Sequence, residues 1–133
     1  MNKEQENDAD QIHDDDLLYR RFHYTSLRRD GRITPAAYMR PKTRTPDPEI
    51  SVNVASKATP EETLAVVEAK ECFGLAVLKV GDVRRLGFTV HYDPSKRNKA
   101  HCLIEGVETE MDCFRLAEIS QVHTIPSRDI SSR

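Results

Sequence analysis

Two histidines near the middle of the chain are the residues whose type and spacing point most directly to chemistry. His91 lies in the segment 88–92 and His101 in the segment 100–104, and apolar and polar residues alternate in both segments. Two such segments joined by a polar stretch predict an antiparallel hairpin. Imidazoles brought together by a hairpin can ligate a metal ion or exchange a proton near neutral pH. His91 and His101 are therefore candidate metal-binding or acid–base residues.

The register of this hairpin decides whether the two histidines meet. Pairing Tyr92 with Ala100 sets the histidines directly opposite each other on one face. A metal site there would need a third ligand, for which Asp93 or Glu105 is available in the sequence. The other face, expected to be buried, would then contain Phe88, Val90, Tyr92, Ala100, Cys102 and Ile104.

A run of cations closer to the N-terminus is the second group of residues that could bind a partner. The segment 17–46 carries eight basic residues and one acid, a net charge of +7, whereas the segment 1–16 carries seven acids and one base, a net charge of −6. Cations contact phosphates and interleaved aromatic residues stack on bases, so nucleic acid is one candidate partner and another protein is a second. The candidate binding residues are Arg20, Arg21, Arg28, Arg29, Arg32, Arg40, Lys42 and Arg44.

Other features of the sequence argue against several classes of function. The whole chain has a net charge of −2 and shows no helix-turn-helix, zinc-finger or RNA-recognition signature. It contains no Walker loop, no dinucleotide-binding fingerprint and no Gly-x-Ser-x-Gly elbow, so no cofactor and no catalytic residue is assigned. Cys72, Cys102 and Cys113 form no Cys-x-x-Cys pair and are expected to be reduced core residues.

The strands that must position these residues follow from alternation and apolar runs. Residues 17–24 fit either a strand or a short helix, and residues 50–54 alternate as in a half-buried strand. Residues 74–80 are almost wholly apolar, which predicts a strand buried on both faces at the centre of the sheet. Residues 122–125 are expected to add a short closing strand.

Two capping boxes predict where helices begin. The first joins Thr59 and Glu62 and predicts a helix that starts at Pro60. The second joins Thr109 and Asp112 and predicts a helix that ends near residue 120. The apolar side chains expected on the buried faces are Leu64, Val66 and Val67 in the first helix and Met111, Phe114, Leu116 and Ala117 in the second.

These elements, together with a helical turn over residues 83–86, predict an α+β domain. We expect a mixed or antiparallel sheet of about four or five strands with two main helices. Residues 1–15 and 126–133 are polar, so they are expected to be disordered tails on a single domain of residues 16–125. No apolar run reaches the roughly 18–20 residues of a membrane helix, and the acidic start lacks the pattern of a secretory signal. A cytoplasmic protein without a membrane partner is expected.

Five short segments of the chain form a pattern when they are taken together. They are residues 29–38, 50–52, 73–78, 93–94 and 98–102. This pattern resembles small uncharacterised bacterial proteins with no assigned activity. The resemblance covers most of residues 17–120, implies a bacterial origin and one compact domain, and assigns no functional residue.

The sequence favours a non-catalytic protein-interaction or accessory component of a multi-gene bacterial system. The reason is that two oppositely charged segments are present while no complete catalytic set is recognisable. One alternative is a nucleic-acid-binding protein that uses the basic segment 20–44. A second alternative is a small metal-dependent or His-based hydrolase that uses His91 and His101.

Overall fold

A computed structural model describes residues 11–128 of the chain. Within these residues, six strands form one antiparallel sheet in the order β4-β5-β2-β1-β3-β6. The strands are β1 (Leu17–His23), β2 (Glu49–Val54), β3 (Phe73–Lys79), β4 (Thr89–Tyr92), β5 (His101–Glu105) and β6 (Gln121–Thr124), and the helices are α1 (Pro60–Ala65), α2 (Val80–Arg85) and α3 (Glu110–Ile119). The predicted small α+β domain is therefore confirmed, with an entirely antiparallel sheet that has more strands than expected.

The sheet has one apolar face and one mixed face. Leu18 lies opposite Val54 on β2 and opposite Leu78 on β3, so all three side chains point to the same side, which we call the inner face. All three are fully buried, and each such side chain contributes roughly 1.5–3 kcal/mol to folding. Helices α2 and α3 complete this core. The opposite side, called the outer face, carries polar residues of β2 and β5 and is partly covered by α1.

Strands β1 and β2 part soon after they begin to pair. They pair only at Leu18 with Val54 and at Tyr19 with Asn53, whereas β1 pairs with β3 along its whole length. The guanidinium of Arg20 lies at the opening and donates from Nη1 to the Ser51 carbonyl oxygen at 2.9 Å. The Arg20 side chain therefore bonds to β2 where backbone pairing has ended, and the separation leaves a small cleft between these two central strands.

Both predicted capping boxes are present, and α1 begins at Pro60 as expected. The predicted buried face of α1 is wrong, since Thr63 is its buried residue and Val66 is 71% exposed. The helix ends at Ala65, and Thr63 accepts a hydrogen bond from Asn53 of β2. A polar contact therefore determines which side of this short helix faces the sheet.

The predicted buried side of helix α3 is confirmed for Leu116 and Ala117 and wrong for the other two residues. Its buried residues are Cys113, Leu116 and Ala117, which are spaced as one helical face. Met111 and Phe114 were expected to be buried but are 55% and 45% exposed. They lie on the side that faces away from the core.

Two further predictions about the central part of the chain need correction. Strand β3 is not the centre of the sheet, because it lies between β1 and the edge strand β6. Its burial on both faces comes from α1 on the outer side and the core on the inner side. Helix α2 begins at Val80 directly after β3 rather than after a break, and it ends before Gly87, whose φ of +99° is expected after a helix.

The hairpin of β4 and β5 exists, but its predicted register is wrong by two residues. Tyr92 lies opposite Cys102 rather than Ala100, and His91 lies opposite Leu103. The bonds at the hairpin end fix this register, since the Asp93 N–H donates to the His101 carbonyl oxygen at 2.9 Å and makes residue 101, not 99, the partner of residue 93. An even shift preserves the two faces, so five of the six residues expected on the inner side are buried and the sixth, Tyr92, is half-buried.

The packed region extends beyond the predicted limits of residues 16 and 125. Ile12 is only 5% exposed, and its carbonyl oxygen accepts from Arg84 Nη2 at 2.8 Å. At the other end Pro126 is buried, and the backbone N–H of Arg128 donates to the Glu71 carbonyl oxygen. The rest of the predicted tails, residues 1–10 and 129–133, lies outside the described residues. In the described part of the chain, no helix is long and apolar enough to cross a membrane.

Candidate functional site

The outer face brings three polar side chains from separate segments into one hydrogen-bonded chain. His101, the first residue of β5, has Nε2 3.1 Å from the Ser51 Oγ on β2. Its Nδ1 lies 2.9 Å from the backbone carbonyl oxygen of Asp93 and 3.2 Å from Oδ2 of the same residue. The imidazole is 23% exposed and the Asp93 side chain is 53% exposed, so the group is accessible from solvent.

The partners of His101 determine which ring nitrogen carries the proton. A backbone carbonyl oxygen can only accept a hydrogen bond, so Nδ1 must be the protonated nitrogen when the ring is neutral. Nε2 is then the acceptor, and the Ser51 hydroxyl donates to it. This arrangement is the one in which an imidazole can take a proton from a serine.

The backbone around the three residues holds them in this arrangement. Asp93 follows β4 directly, and its N–H donates to the His101 carbonyl oxygen at 2.9 Å, so the two residues are fixed as a pair. His101 pairs with Asn53 and Leu103 pairs with Ser51, which places the serine diagonally across from the histidine on the same face. The hydrogen bonds among Ser51, His101 and Asp93 therefore depend on the pairing of β2 with β5 and on the end of the hairpin.

A cleft of about 30 Å³ lies beside Ser51, where β1 and β2 part. A space of this size accommodates about one water molecule or a chemical group of similar size. Its polar lining comes from Arg20, Arg21, Ser51, Asn53, Asn98 and His101. The serine hydroxyl thus sits at the edge of a small concave polar surface.

A buried polar network supports one wall of the cleft. Asn53 donates from Nδ2 to Thr63 Oγ1 at 3.0 Å and accepts at Oδ1 from Asn98 Nδ2 at 2.7 Å. Thr63 in turn donates to the Thr59 carbonyl oxygen. These bonds tie β2, α1 and the hairpin loop together, and no side-chain N or O atom buried in the described residues lacks a partner.

Two of the arginines predicted to bind a partner, Arg20 and Arg21, line the cleft of this site. Arg20 donates from Nε to the Ala37 carbonyl oxygen at 3.0 Å and from Nη1 to the Ser51 carbonyl oxygen. Arg21 donates from Nη1 to the Thr63 carbonyl oxygen at 3.0 Å. Burial lowers the pKa of both guanidinium groups, because it disfavours the charged form.

The other six predicted basic residues are distributed over the exposed loops. Arg28 forms an ion pair with Asp30 at 3.1 Å, and Arg40 lies 4.0 Å from Asp47. The remaining four are exposed: Arg29, Arg32, Lys42 and Arg44. The structure therefore divides the basic segment into two arginines that donate to backbone carbonyl oxygens beside the cleft, two ion-paired arginines and four solvent-facing cations.

The predicted pair of His91 and His101 does not form. His91 lies opposite Leu103, is 50% exposed and has its Nδ1 2.8 Å from Oε1 of Glu105. Within residues 11–128, no group of three or more His, Cys, Asp and Glu side chains is arranged to hold a metal ion. Asp93, one of the two candidates for a third ligand, does lie next to His101. The other side chain bonded to this imidazole is Ser51, not His91.

None of the three cysteines belongs to this site. Cys102 and Cys113 are fully buried on the inner side, and burial raises the pKa of each thiol to about 11. Cys72 directly precedes β3 and is half-buried, so the expectation of a core residue is wrong for this cysteine. All three thiols are free.

Sequence reasoning missed Ser51, Asn53 and Asn98 as members of a site. The available signal was the polar residue type at two outward positions of a strand that is otherwise apolar, since Ser51 and Asn53 alternate with buried valines and isoleucine. That signal does not reveal which strand lies next to β2. Their partner His101 is about 50 positions away in the sequence, so no local pattern joins them.

Comparison with known proteins adds no functional information to this geometry. No protein-family model, no curated protein and no solved structure matches the chain. The geometry of the site is therefore the only guide to a function.

Proposed function

We propose that the chain is a serine hydrolase for small acyl esters, with Ser51 as the nucleophile and His101 as the general base. The observation that carries this proposal is the continuous chain from Ser51 Oγ to His101 Nε2, and from His101 Nδ1 to Asp93. The hydroxyl is accessible to solvent and lies at the edge of a polar cleft. A nucleophile, a base and a group that orients the base are the parts that acyl transfer requires.

The proposed reaction has two steps that use the same proton acceptor. Ser51 Oγ attacks the ester carbonyl carbon while its proton moves to His101 Nε2, and the bond to the leaving oxygen breaks as that oxygen takes the proton. The alcohol leaves and an acyl ester on Ser51 remains. Water then attacks this ester, its proton moves to Nε2 and on to Oγ, and the acid is released with Ser51 restored.

The parted strands supply a donor for the oxyanion that forms in each step. In β2 the odd-numbered residues direct their backbone groups toward β1, as the bond from the Ala55 N–H to the Leu17 carbonyl oxygen demonstrates. Ser51 belongs to this set, but β1 has no paired residue opposite it. Its N–H therefore faces the cleft next to its own hydroxyl, which is where an oxyanion donor is needed.

Steady-state hydrolysis of nitrophenyl acetate tests the proposal. We expect Ser51→Ala to abolish hydrolysis above the solvent rate and His101→Ala to lower kcat/KM by about 10²–10⁴-fold, the contribution of a general base. Ser56→Ala is the matched control, because Ser56 is an exposed serine just beyond the end of β2. His91→Asn removes an exposed imidazole that could attack the ester by itself.

Two outcomes would contradict the proposal. In the first, Ser51→Ala hydrolyses the ester as fast as the unmodified protein. In the second, His91→Asn removes the activity while Ser51→Ala keeps it, which would assign hydrolysis to an exposed imidazole. Thermal unfolding of each variant checks that the fold is retained.

One observation supports the protein-interaction hypothesis. Met111 and Phe114 are exposed side by side on α3, and Phe114 borders a groove of about 130 Å³ that also contains Arg28 and Arg32. This groove is formed by α3 and the loop at residues 28–35, which lie away from the outer face. The nucleic-acid hypothesis draws its support from the exposed loop cations, since Arg20 and Arg21 are partly buried and bonded to backbone carbonyl oxygens.

A further inference from the structure

The cleft beside Ser51 contains two positive charges and no negative one. Arg20 and Arg21 both line it, and no aspartate or glutamate of the described chain does so. Neither guanidinium forms an ion pair with a carboxylate of residues 11–128, since their hydrogen-bond acceptors are backbone carbonyl oxygens. Two acids lie near the arginines but outside the lining: Asp47 attracts Arg20 electrostatically without forming an ion pair, and Asp93 lies on the far side of His101.

Arg20 and Arg21 are partly buried, and taking a charge even partly out of water is costly unless an opposite charge or hydrogen bonds compensate for it. Carbonyl oxygens offset only part of that cost. Each guanidinium has five N–H donors, of which Arg20 uses two and Arg21 uses one in the bonds described above. Donors on both side chains therefore remain available to a further acceptor at the cleft.

We infer that the cleft is an anion-binding subsite that holds a carboxylate or phosphate group of the substrate next to the reacting ester. Guanidinium groups bind these two anions through paired hydrogen bonds, which a lysine cannot form in the same way. The cleft of about 30 Å³ has room for an oxygen atom of such an anion, and because the cleft is open beside Ser51 the rest of the substrate can stay outside it. This inference rests on the proposed function for its substrate class, but anion binding itself can be measured without activity.

The binding test uses inorganic phosphate as the probe and nuclear magnetic resonance as the readout. We expect phosphate to shift the Nε–H signals of Arg20 and Arg21 and the backbone amide signal of Ser51 in a saturable titration. Sodium chloride at the same ionic strength should shift them far less, because chloride offers no paired acceptors. Absence of saturable shifts at these groups would overturn the inference even if Ser51 proves to be catalytic.

Arg21→Gln is the variant that tests the site, since glutamine keeps an amide N–H for the Thr63 carbonyl oxygen and loses the charge. We expect it to weaken phosphate binding at least about tenfold, because a charge-assisted pair is lost. Arg29→Gln removes an exposed arginine outside the cleft and should leave binding unchanged. Equal weakening in both variants would indicate nonspecific attraction and would also overturn the inference.

The hydrolysis assay adds a second measurement of the same site. Phosphate should inhibit hydrolysis of the neutral ester nitrophenyl acetate, and Arg21→Gln should shift the inhibition by the same factor as binding. Saturable shifts in a protein that hydrolyses no ester would refute the proposed function and leave the anion site standing. Hydrolysis that phosphate does not affect would refute the anion site and leave the proposed function standing.

Discussion

Asp93→Asn separates the two contacts that Asp93 makes with His101. The backbone carbonyl oxygen lies 2.9 Å from Nδ1, and the carboxylate Oδ2 lies 3.2 Å from it. The substitution removes the negative charge but keeps the carbonyl, so the proton stays on Nδ1. His101 can therefore still accept a proton from Ser51, and we expect the variant to retain activity.

The size of the expected loss follows from the missing charge. During the reaction His101 becomes positive, and opposite unit charges about 4 Å apart attract by about 1 kcal/mol in water and about 4 kcal/mol near a protein surface. The Asp93 side chain is 53% exposed, which places the interaction toward the lower of these values. We expect the barrier to rise by about 1–2 kcal/mol, so that kcat/KM falls about 5- to 30-fold.

The assay compares kcat/KM for nitrophenyl acetate in the variant and in the unmodified protein. Nitrogen chemical shifts of the His101 ring, measured in parallel, should report the same tautomer in both. A serine enzyme in which the carboxylate alone holds the tautomer loses about 10⁴-fold on this substitution. A loss of that size would refute the role assigned to the backbone carbonyl, and an unchanged rate would refute any role for the Asp93 charge.

Three further predictions concern stability and thiol reactivity. Arg20→Met removes two hydrogen bonds from a charged donor, so the free energy of unfolding in urea should fall by about 2–4 kcal/mol; the exposed Arg29→Met should change it by less than about 0.5 kcal/mol. Gly74→Ala would place Cβ 2.7 Å from an aromatic carbon of the core, so the same measurement should show a loss of roughly 1–3 kcal/mol or more. With a thiol reagent at mildly alkaline pH, Cys72 should react first. Burial and a raised pKa should protect Cys102 and Cys113 until the protein unfolds.

The parts of the fold that depend on short stretches of sequence were predictable. Both capping boxes are examples, because the bonds that start each helix join residues only three positions apart. The faces of the hairpin were also predictable from alternation. Its register was not, because it depends on how the loop closes, with the Ser95 N–H bonded to the Asn98 carbonyl oxygen and the Asp93 N–H bonded to the His101 carbonyl oxygen.

The candidate site was harder to predict because it depends on contacts between distant segments. Ser51 meets His101 only because β2 pairs with β5, and strand order does not follow from the alternation within either strand. Arg20 gave a misleading signal, since a charged residue on a strand is expected to face solvent. It faces inward because β1 and β2 part beside it and leave two carbonyl oxygens within its reach.

If His101 activates Ser51, the serine should react covalently with a fluorophosphonate probe, which modifies activated serines. The protein of residues 1–133 is treated with the probe, and the modified residue is located by peptide mass spectrometry. We expect one label per chain on Ser51, strong loss of labelling in His101→Ala and no change in Ser56→Ala. Labelling that is absent from Ser51, or that is equally fast in His101→Ala, would contradict it.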